Sequence, residues 1–226
     1  MKVARSYCQL STMSVAPTLG VYKLPTIDNE PMRNYEPNSK DRQELQKAVD
    51  ELLACNPFEI PVIIDGQEFR SGKLAKQVNP GDHAQAVCYY HEADERMVNI
   101  AIEGALKAKK QWMNMPWSER AAISMKAADL IAHKYRYQLL AATMVGQGKN
   151  VWQAEIDAGA EICDFLRFGV KYVDDMYQIQ PPRNSPGVWN RTEYRPLEGF
   201  VLAISPFNFT AIAGNLVMTP AMVGNV

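Results

Sequence analysis

The sequence predicts an α/β protein in which a buried strand leads directly into a helix that packs on a sheet. Segment 200–204 is apolar without polar alternation, which is typical of a strand covered on both faces. Pro206 cannot donate to a strand ladder and ends the strand, and small and apolar residues over 209–218 predict the helix. Because ligands of open α/β folds bind just outside the carboxyl ends of strands, we expect the chemistry at 205–208.

A long periodic segment over 150–177 supplies the helical half of this prediction. Its apolar residues recur at spacings of four and three, which predicts one continuous helix. The buried stripe is formed by Trp152, Ile156, Gly159, Cys163, Leu166, Val170, Val173 and Tyr177. A second, aromatic face is formed by Phe165, Phe168 and Tyr172, and Glu161 lies on it. Since burying an unpaired carboxylate is costly, Glu161 either sits at an exposed helix margin near a basic side chain or serves a function.

The carboxyl-terminal residues extend the same architecture. Segment 220–226 predicts a helix end, a stop at Gly224 and Asn225, and the first residue of another strand. A βα unit is normally followed by a parallel strand, so we interpret the chain as the front part of a longer protein. The strand at 200–204 then lacks parallel neighbours, and we expect exposed apolar surface and poor solubility for the chain by itself.

The elements before the long helix follow from local signals. Residues up to Ser39 contain several prolines and no periodicity, which predicts a loose arm. Asp41 is suited to cap a helix that ends near Cys55. The β elements are a hairpin over 60–64 and 67–69 around Asp65-Gly66, a turn at 79–82 and a strand over 84–91. Three more helices are predicted: from a cap at Asp94 to about Met113, from a cap at Ser118 to about His133 after a break at Pro116, and from Arg136 to Val145 with a stop at Gly146.

Segment 178–197 predicts a projecting β-hairpin between the long helix and the strand. Its turn lies at 184–187, and its charged residues alternate with Thr192 and Tyr194, as on a half-exposed strand. Such an arm is suited to subunit contacts; a solvated hairpin is the alternative.

Bulk properties exclude several functions. Lys+Arg 24 and Asp+Glu 25 give a net charge of −1, which offers no electrostatic case for nucleic acid or an anionic membrane as a partner. No apolar run reaches the ~20 residues of a membrane-spanning helix. The four cysteines are far apart, so we expect reduced thiols. His83, His91 and His133 do not cluster with cysteines or acids, and we predict no metal site.

The amino-terminal composition bears on location. From Met1 to Ile27 the chain has no Asp or Glu, while Lys2, Arg5 and Lys23 are basic and several residues carry hydroxyls. This composition is typical of a mitochondrial targeting peptide; a disordered tail is the alternative.

Two polar motifs have ordinary explanations as well as functional ones. Segment 146–150 (GQGKN) lacks the first Gly and the Ser or Thr of a phosphate loop, so it predicts a helix-stop turn. Asn208 directly precedes the last predicted helix and is suited to cap it. Alternatively, its side-chain amide donates to an oxyanion that develops on an attacked carbonyl.

The segment around Asn208 resembles the aldehyde dehydrogenase superfamily. Residues 199–209 (GFVLAISPFNF) match the strand and the oxyanion asparagine of that family. The resemblance extends from about Pro61 to the carboxyl end and is nearest to the branch that oxidises L-glutamate γ-semialdehyde (Δ1-pyrroline-5-carboxylate) to L-glutamate in mitochondrial proline catabolism. Its other matching segments are 143–149 (TMVGQGK), 153–157 (QAEID), 160–165 (AEICDF) and 197–200 (LEGF).

The resemblance implies a domain organisation and a setting. Residues 1–58 are an arm and helix, and residues 59–226 are an incomplete Rossmann-like NAD-binding domain. The hairpin at about 178–197 corresponds to the family's oligomerisation arm, which implies a homo-oligomer. NAD is the implied cofactor, an aldehyde the implied substrate, and the mitochondrial matrix the implied location.

The resemblance also assigns roles to residues. In the family, a cysteine thiolate attacks the aldehyde, hydride passes to NAD, and a glutamate-assisted water releases the acid. Asn208 matches the amide that, with a backbone N–H, holds the oxyanion. The positions beside the nicotinamide are matched by Ser205, Pro206 and Phe207. Glu161 and Phe209 match positions that line the substrate pocket, which would explain a carboxylate on an aromatic face.

The chain departs from the family in what it lacks. The nucleophilic cysteine, the general-base glutamate, the cofactor-holding Lys-Pro segment and the glycine-rich NAD turn would all follow Val226. None of Cys8, Cys55, Cys88 and Cys163 matches the nucleophile. We therefore expect the chain by itself to be inactive. The alternatives are a non-catalytic short form that binds full-length subunits and an aldehyde dehydrogenase of other substrate specificity.

Overall fold

The computed structural model describes residues 23–55 and 57–226, which form a packed set of helices beside a small mixed sheet. Cys8 and most of the predicted targeting segment lie outside the described residues. The helices are α1 Lys40–Ala54, α2 Glu95–Asn114, α3 Trp117–Asp129, α4 Arg136–Gln147, α5 Val151–Ala154, α6 Ile162–Tyr177 and α7 Thr210–Met222, with π-helical segments at Leu130–Lys134 and Glu155–Glu161. Among the described residues, no helix is long and apolar enough to cross a membrane.

Five strands form two sheets within the described residues. They are β1 Phe58–Ile60, β2 Val62–Ile64, β3 Gln67–Phe69, β4 Leu74–Asn79 and β5 Asp82–His91. In the larger sheet, β5 lies between a parallel β1 and an antiparallel β4, while β2 and β3 form a separate hairpin. The hairpin prediction is confirmed, because Asp65 and Gly66 have φ of 50° and 70°, as a tight two-residue turn requires. Strand β4 was not predicted from the sequence.

The arm before α1 is fixed to the helices, so the prediction of a loose arm is wrong for residues 23–39. Glu30 accepts hydrogen bonds from Arg136 at 2.7 Å and from Arg167 at 2.6 Å. The Tyr35 hydroxyl donates to Glu155 Oε2 at 2.6 Å. These partners lie about a hundred positions away in the chain, so no periodicity within the arm could indicate them.

The predicted cap of α2 is confirmed, whereas the predicted cap of α1 is not. Asp94 caps α2, since its carboxylate accepts from the Met97 N–H at 2.8 Å. Helix α1 is instead capped by Ser39, and Asp41 accepts a hydrogen bond from the Tyr137 hydroxyl at 2.6 Å. The prediction of Asp41 as the cap is therefore wrong by two residues.

Helices α3 and α4 have different ends from those predicted. Helix α3 begins at Trp117 without a side-chain cap, so Ser118 is not its cap. Helix α4 runs to Gln147, and the glycine that stops it is Gly148 and not Gly146. Gly148 takes the left-handed conformation, with φ of 65°, that glycine adopts at low cost.

The predicted helix over 150–177 is present, but a π-helical segment interrupts it. Asn150 forms a reciprocal capping box with Gln153 at its start. The wider turns of Glu155–Glu161 shift the helix face. As a result the later part of the predicted stripe is buried, whereas Trp152 and Ile156 are 48% and 49% exposed.

Segment 178–197, all of which the structure describes, contains no strand, so the β-hairpin prediction is wrong in its secondary structure. The chain still folds back on itself. The Thr192 N–H donates to the Gln180 side chain at 2.9 Å, and the Tyr194 hydroxyl donates to the Ile179 carbonyl at 3.0 Å. Side chains replace the backbone ladder here, and several prolines in the segment lack an N–H to donate.

Segment 200–204 is also irregular, which corrects the prediction of a buried strand. Its backbone makes one hydrogen bond, from the Val201 N–H to the Val226 carbonyl at 2.7 Å. A parallel ladder needs partner strands, and none of the described residues supplies one. Leu202 and Ile204 are 74% and 78% exposed, so the expectation of exposed apolar surface is confirmed.

The helix after this segment matches its prediction. Helix α7 ends before Gly224, whose φ of 91° confirms the predicted stop. Its last turn is held by Arg120, which donates to the Met222 carbonyl at 3.0 Å. The core between α3, α6 and α7 is formed by Ala128, Ala132, Ile162, Cys163, Leu166 and Ala211.

Candidate functional site

The amino end of α7 packs against a buried carboxylate of the π-helical segment. Asp157 is fully buried. Its Oδ1 accepts the Ala211 N–H at 2.7 Å, and its Oδ2 accepts the Thr210 N–H at 3.0 Å. A helix leaves its first N–H groups unpaired and attracts negative charge to that end. Asp157 therefore caps α7 from another helix.

Lys149 balances the charge of Asp157 and contacts the chain before α7. Its Nζ lies 2.7 Å from Asp157 Oδ2 and donates to the backbone carbonyl of Asn208 at 2.6 Å. It also lies 4.2 Å from the centre of the Phe209 ring, within the range of a cation–π contact. Gly148 ends α4 immediately before this lysine. The helix-stop turn predicted at 146–150 thus places a cation at the start of α7.

A neutral hydrogen-bond cluster adjoins the same helix end. The hydroxyls of Thr143 and Thr210 lie 2.8 Å apart, and the Gln147 amide donates to Thr210 at 3.1 Å. The side-chain oxygen of Gln147, Oε1, is buried without a hydrogen-bond partner. An unsatisfied buried acceptor is unusual in folded proteins.

Glu161 lies half-buried at the end of the π-helical segment, and its Oε2 is buried without a hydrogen-bond partner. Burial raises the pKa of this carboxyl, the negative charge of Asp157 raises it further, and Lys149 lowers it in part. No ion pair of Glu161 with a basic side chain is found among the described residues. The interpretation of Glu161 as an exposed residue at the helix margin is therefore wrong, although Lys149 is the basic side chain expected near it.

Asn208 lies in an exposed turn directly before α7. The capping position is occupied by Phe209, and no side chain of this turn caps the helix. Within the described residues, the Asn208 side chain makes no hydrogen bond. The interpretation of Asn208 as the helix cap is therefore wrong: Asp157 caps the helix, and the Asn208 amide is left to face solvent or a ligand.

The aromatic face of α6 lines an apolar cavity next to α7. The cavity has a volume of about 520 Å³, and Phe165, Phe168 and Tyr172 contribute to its wall. Glu161 does not line it. The structure thus separates the carboxylate from the aromatic residues with which the sequence pattern grouped it.

The three described cysteines are two buried thiols and one exposed thiol. Burial raises the pKa of Cys163 to about 12, and burial also raises the pKa of Cys88. Cys55 is exposed at the end of α1. Because the thiolate is the nucleophile, burial disfavours the reactive form of these two cysteines.

Comparison with known proteins identifies the family. The aldehyde dehydrogenase family matches residues 68–226. The chain belongs to the aldehyde dehydrogenase family. It is 60% identical over 208 residues to the Δ1-pyrroline-5-carboxylate dehydrogenase of Agaricus bisporus, covering 92% of this chain and 38% of that protein. It is 46% identical over 200 residues to the human mitochondrial Δ1-pyrroline-5-carboxylate dehydrogenase, covering 88% of this chain and 35% of that protein.

A solved structure supports the fold as well. The Δ-pyrroline-5-carboxylate dehydrogenase from Mycobacterium tuberculosis, bound with NAD, superposes with a TM-score of 0.89 at 41% identity. The match covers 92% of this chain and 39% of that one. The chain therefore spans less than two-fifths of the length of these relatives. The family resemblance and the α/β fold class predicted from the sequence are confirmed.

In this aldehyde dehydrogenase chain, the predicted site residues fall into two groups. Asn208, Phe209 and Glu161 lie around the Lys149–Asp157 pair, Asn208 and Phe209 by contact and Glu161 by electrostatic interaction. The second group, Ser205, Pro206 and Phe207, lies on the exposed loop before α7, where Phe207 is 93% exposed. Their assigned roles stay predictions.

The aldehyde dehydrogenase chain also contains site residues that sequence reasoning missed. Lys149 and Asp157 lie within segments that match the family, but the sequence pattern gives neither of them a role. The pattern places Lys149 in a helix-stop turn and Asp157 off the apolar stripe. Their contacts reach Asn208 and Thr210, more than fifty positions along the chain, so no local pattern could have revealed them.

Proposed function

We propose that this chain belongs to an NAD-dependent enzyme that oxidises L-glutamate γ-semialdehyde, the open form of Δ1-pyrroline-5-carboxylate, to L-glutamate in proline catabolism. The relatives named above support the substrate class. The observation that carries the proposal is the free carboxamide of Asn208 beside the capped end of α7. A rigidly held amide N–H stabilises an oxyanion as it forms on the attacked aldehyde carbon.

The substrate contacts follow from the chemistry of an amino-acid aldehyde. Glu161 presents a buried carboxylate oxygen without a partner, and such an oxygen is suited to accept from the substrate's ammonium group. Phe209 offers an apolar ring that already packs against a cation. We assign the substrate pocket to the space that these two residues face.

The residues assigned to the cofactor fit part of NAD. Ser205, Pro206 and Phe207 form an exposed, uncharged surface next to Asn208, which suits the flat nicotinamide ring, the hydride acceptor of the reaction. The sequence contains no G-x-G-x-x-G turn for the pyrophosphate. The chain thus provides the nicotinamide end of the site, and its described cysteines do not provide the nucleophile.

The setting of the enzyme is part of the same proposal. Relatives named mitochondrial, together with the amino-terminal composition, support the mitochondrial matrix. Segment 178–197 is proposed as the arm that joins subunits of a homo-oligomer. Its exposed apolar residues support this, since Trp189 is 90% and Val188 is 53% exposed.

The test is NAD reduction by the full-length protein that contains this chain. With glutamate semialdehyde, Asn208→Ala should lower kcat by about 10²–10³-fold, as for loss of one oxyanion donor. Asn99→Ala, on an exposed face of α2, is the matched control and should leave kcat unchanged. Faster turnover of simple aliphatic aldehydes than of glutamate semialdehyde would reject the proposed substrate, and an unchanged kcat for Asn208→Ala would reject the role of this residue. The 226-residue chain alone should reduce no NAD above a contaminant control.

A further inference from the structure

We propose that Lys149 and Asp157 form a positioning pair that orients Asn208 for oxyanion binding. The inference rests on the proposed function of Asn208 and goes beyond it by naming the residues through which that function is maintained. Neither residue is proposed to touch the substrate. Both act on the backbone that carries the Asn208 side chain.

Among the described residues, Lys149 provides the main contact to the loop that carries Asn208. Residues 204–208 are exposed, and Phe207 is 93% exposed. Over 202–208, the bond from Lys149 Nζ to the Asn208 carbonyl is the only hydrogen bond among the described residues. A loop without such a contact samples many backbone conformations, and fixing one of them costs conformational entropy. The lysine therefore restrains the peptide that sets the direction of the Asn208 amide.

The lysine is itself held by a rigid partner. Asp157 is fully buried and accepts from Lys149, Thr210 and Ala211. Two of those three bonds attach it to the first turn of α7, so the ammonium group is fixed relative to the helix. The ring of Phe209 lies 4.2 Å from the same ammonium and limits its movement on a further side. Lys149 thus restrains the carbonyl of Asn208, and the capped first turn of α7 restrains the residues that follow Asn208.

The pair also frees the Asn208 side chain for chemistry. An asparagine before a helix commonly uses its side chain as the cap, and the amide is then fixed on the helix's own N–H groups. Here Asp157 has taken those N–H groups. The carboxamide is consequently available to a ligand while the backbone is still restrained, which is the combination that an oxyanion donor requires.

The experiment is a double-mutant cycle in the full-length enzyme. Lys149→Met keeps the side-chain length and removes the ammonium. It should lower kcat about 10–100-fold, less than loss of the donor itself, with KM for NAD unchanged within a factor of about two. Lys149→Arg, which keeps the charge, should recover part of kcat. If the lysine acts through Asn208, Lys149→Met combined with Asn208→Ala loses no more activity than Asn208→Ala alone. Multiplying losses, or an unchanged kcat in Lys149→Met, would overturn the positioning role.

A measurement independent of activity separates this inference from the proposed function. Hydrogen exchange of a peptide covering 205–212 should be at least about tenfold faster in Lys149→Met than in the wild type. Lys171→Met, which breaks a surface ion pair with Asp175 on α6, is the control and should leave that peptide unchanged. A wild-type enzyme without aldehyde oxidation would reject the function, whereas unchanged exchange in Lys149→Met would reject the positioning pair even in an active enzyme. If Lys149→Met does not fold, Asp157→Asn, which removes the charge that holds the lysine, is put through the same exchange and activity measurements, and wild-type values in both would reject the pair.

Discussion

Two buried carboxylates, Glu155 and Asp157, lie two residues apart in one π-helical segment and hold opposite ends of the chain. Residues at i and i+2 of a helix point to different sides, and each carboxylate here accepts from its own set of partners. Glu155 binds Arg136, the Tyr35 hydroxyl and the Arg33 N–H, and so fixes the amino-terminal arm. Asp157 binds Lys149 and the first turn of α7, and so fixes the carboxyl-terminal helix.

The two carboxylates differ in the cation that each one pairs with. Arg136 is fully buried; burial by itself lowers its pKa, but the ion pairs with Glu155 and Glu30 outweigh this and raise the pKa above the usual range. Tyr35, also buried, has its pKa raised by burial and by the neighbouring Glu155. The Lys149 side chain is 14% exposed and reaches the loop that carries Asn208. On the closed side of the segment, at Glu155, buried ion pairs fix the arm. On the open side, at Asp157, the ion pair with Lys149 supports the candidate site, and π-helical segments are often found at functional sites.

The largest expected effect is on the closed side. Glu155→Gln leaves Arg136 buried with only part of its countercharge, and breaking a buried pair costs about 3–5 kcal/mol. We expect the free energy of unfolding, measured by urea denaturation, to fall by about 3 kcal/mol. The control is Glu51→Gln, which removes an exposed pair with Lys47 on α1 and should cost less than about 0.5 kcal/mol. Equal losses for the two variants would show that the arm is not held by Glu155.

A smaller effect is expected on the open side. Asp157→Asn keeps one acceptor oxygen for the first turn of α7 but loses the charge that faces Lys149. Water reaches the lysine, so the loss should be about 2 kcal/mol, in the range for an unsatisfied buried hydrogen-bonding group. Asp175→Asn, on the surface of α6, is the control. A loss for Asp157→Asn that equals or exceeds the loss for Glu155→Gln would contradict the distinction between a closed and an open side.

The features that the sequence could predict are local ones. Caps and turns that depend on neighbours in the chain were found, such as Asp94 before α2 and Asp65-Gly66 in the hairpin. The family and the position of Asn208 came from the segment that follows Gly199. The fixed arm and the Lys149–Asp157 pair could not be predicted, because their contacts join residues that are distant in sequence.

Two of the errors of regular structure have a related cause. Segment 200–204 has the composition of a buried strand, but composition does not provide the neighbouring strands that a ladder needs, and in this chain the segment is exposed. Trp152 and Ile156 fit a helical stripe of constant pitch, whereas the π-helical segment changes the pitch after Ala154. In both cases the local pattern identified apolar residues correctly, but it could not show which other parts of the chain they contact.

The smallest effect concerns Glu161, which lies beyond Asp157 on the same segment. Burial raises the pKa of its carboxyl in the folded state above the usual value of 4.5, so the folded protein binds this proton more tightly than the unfolded chain does. The resulting stability is fully present below pH 4.5 and is lost as the pH rises through the folded pKa. Glu161→Gln has no proton to lose. It should match the wild type in acid and become slightly more stable than the wild type at neutral pH, as measured by the difference between their urea midpoints. Glu103→Gln, on an exposed face of α2, is the control for the loss of one surface charge. A Glu161→Gln variant that matches the wild type in acid and is less stable than the wild type at neutral pH would mean that Glu161 pairs with a cation in solution, and the open side of the segment would then be as closed as the side that holds the arm.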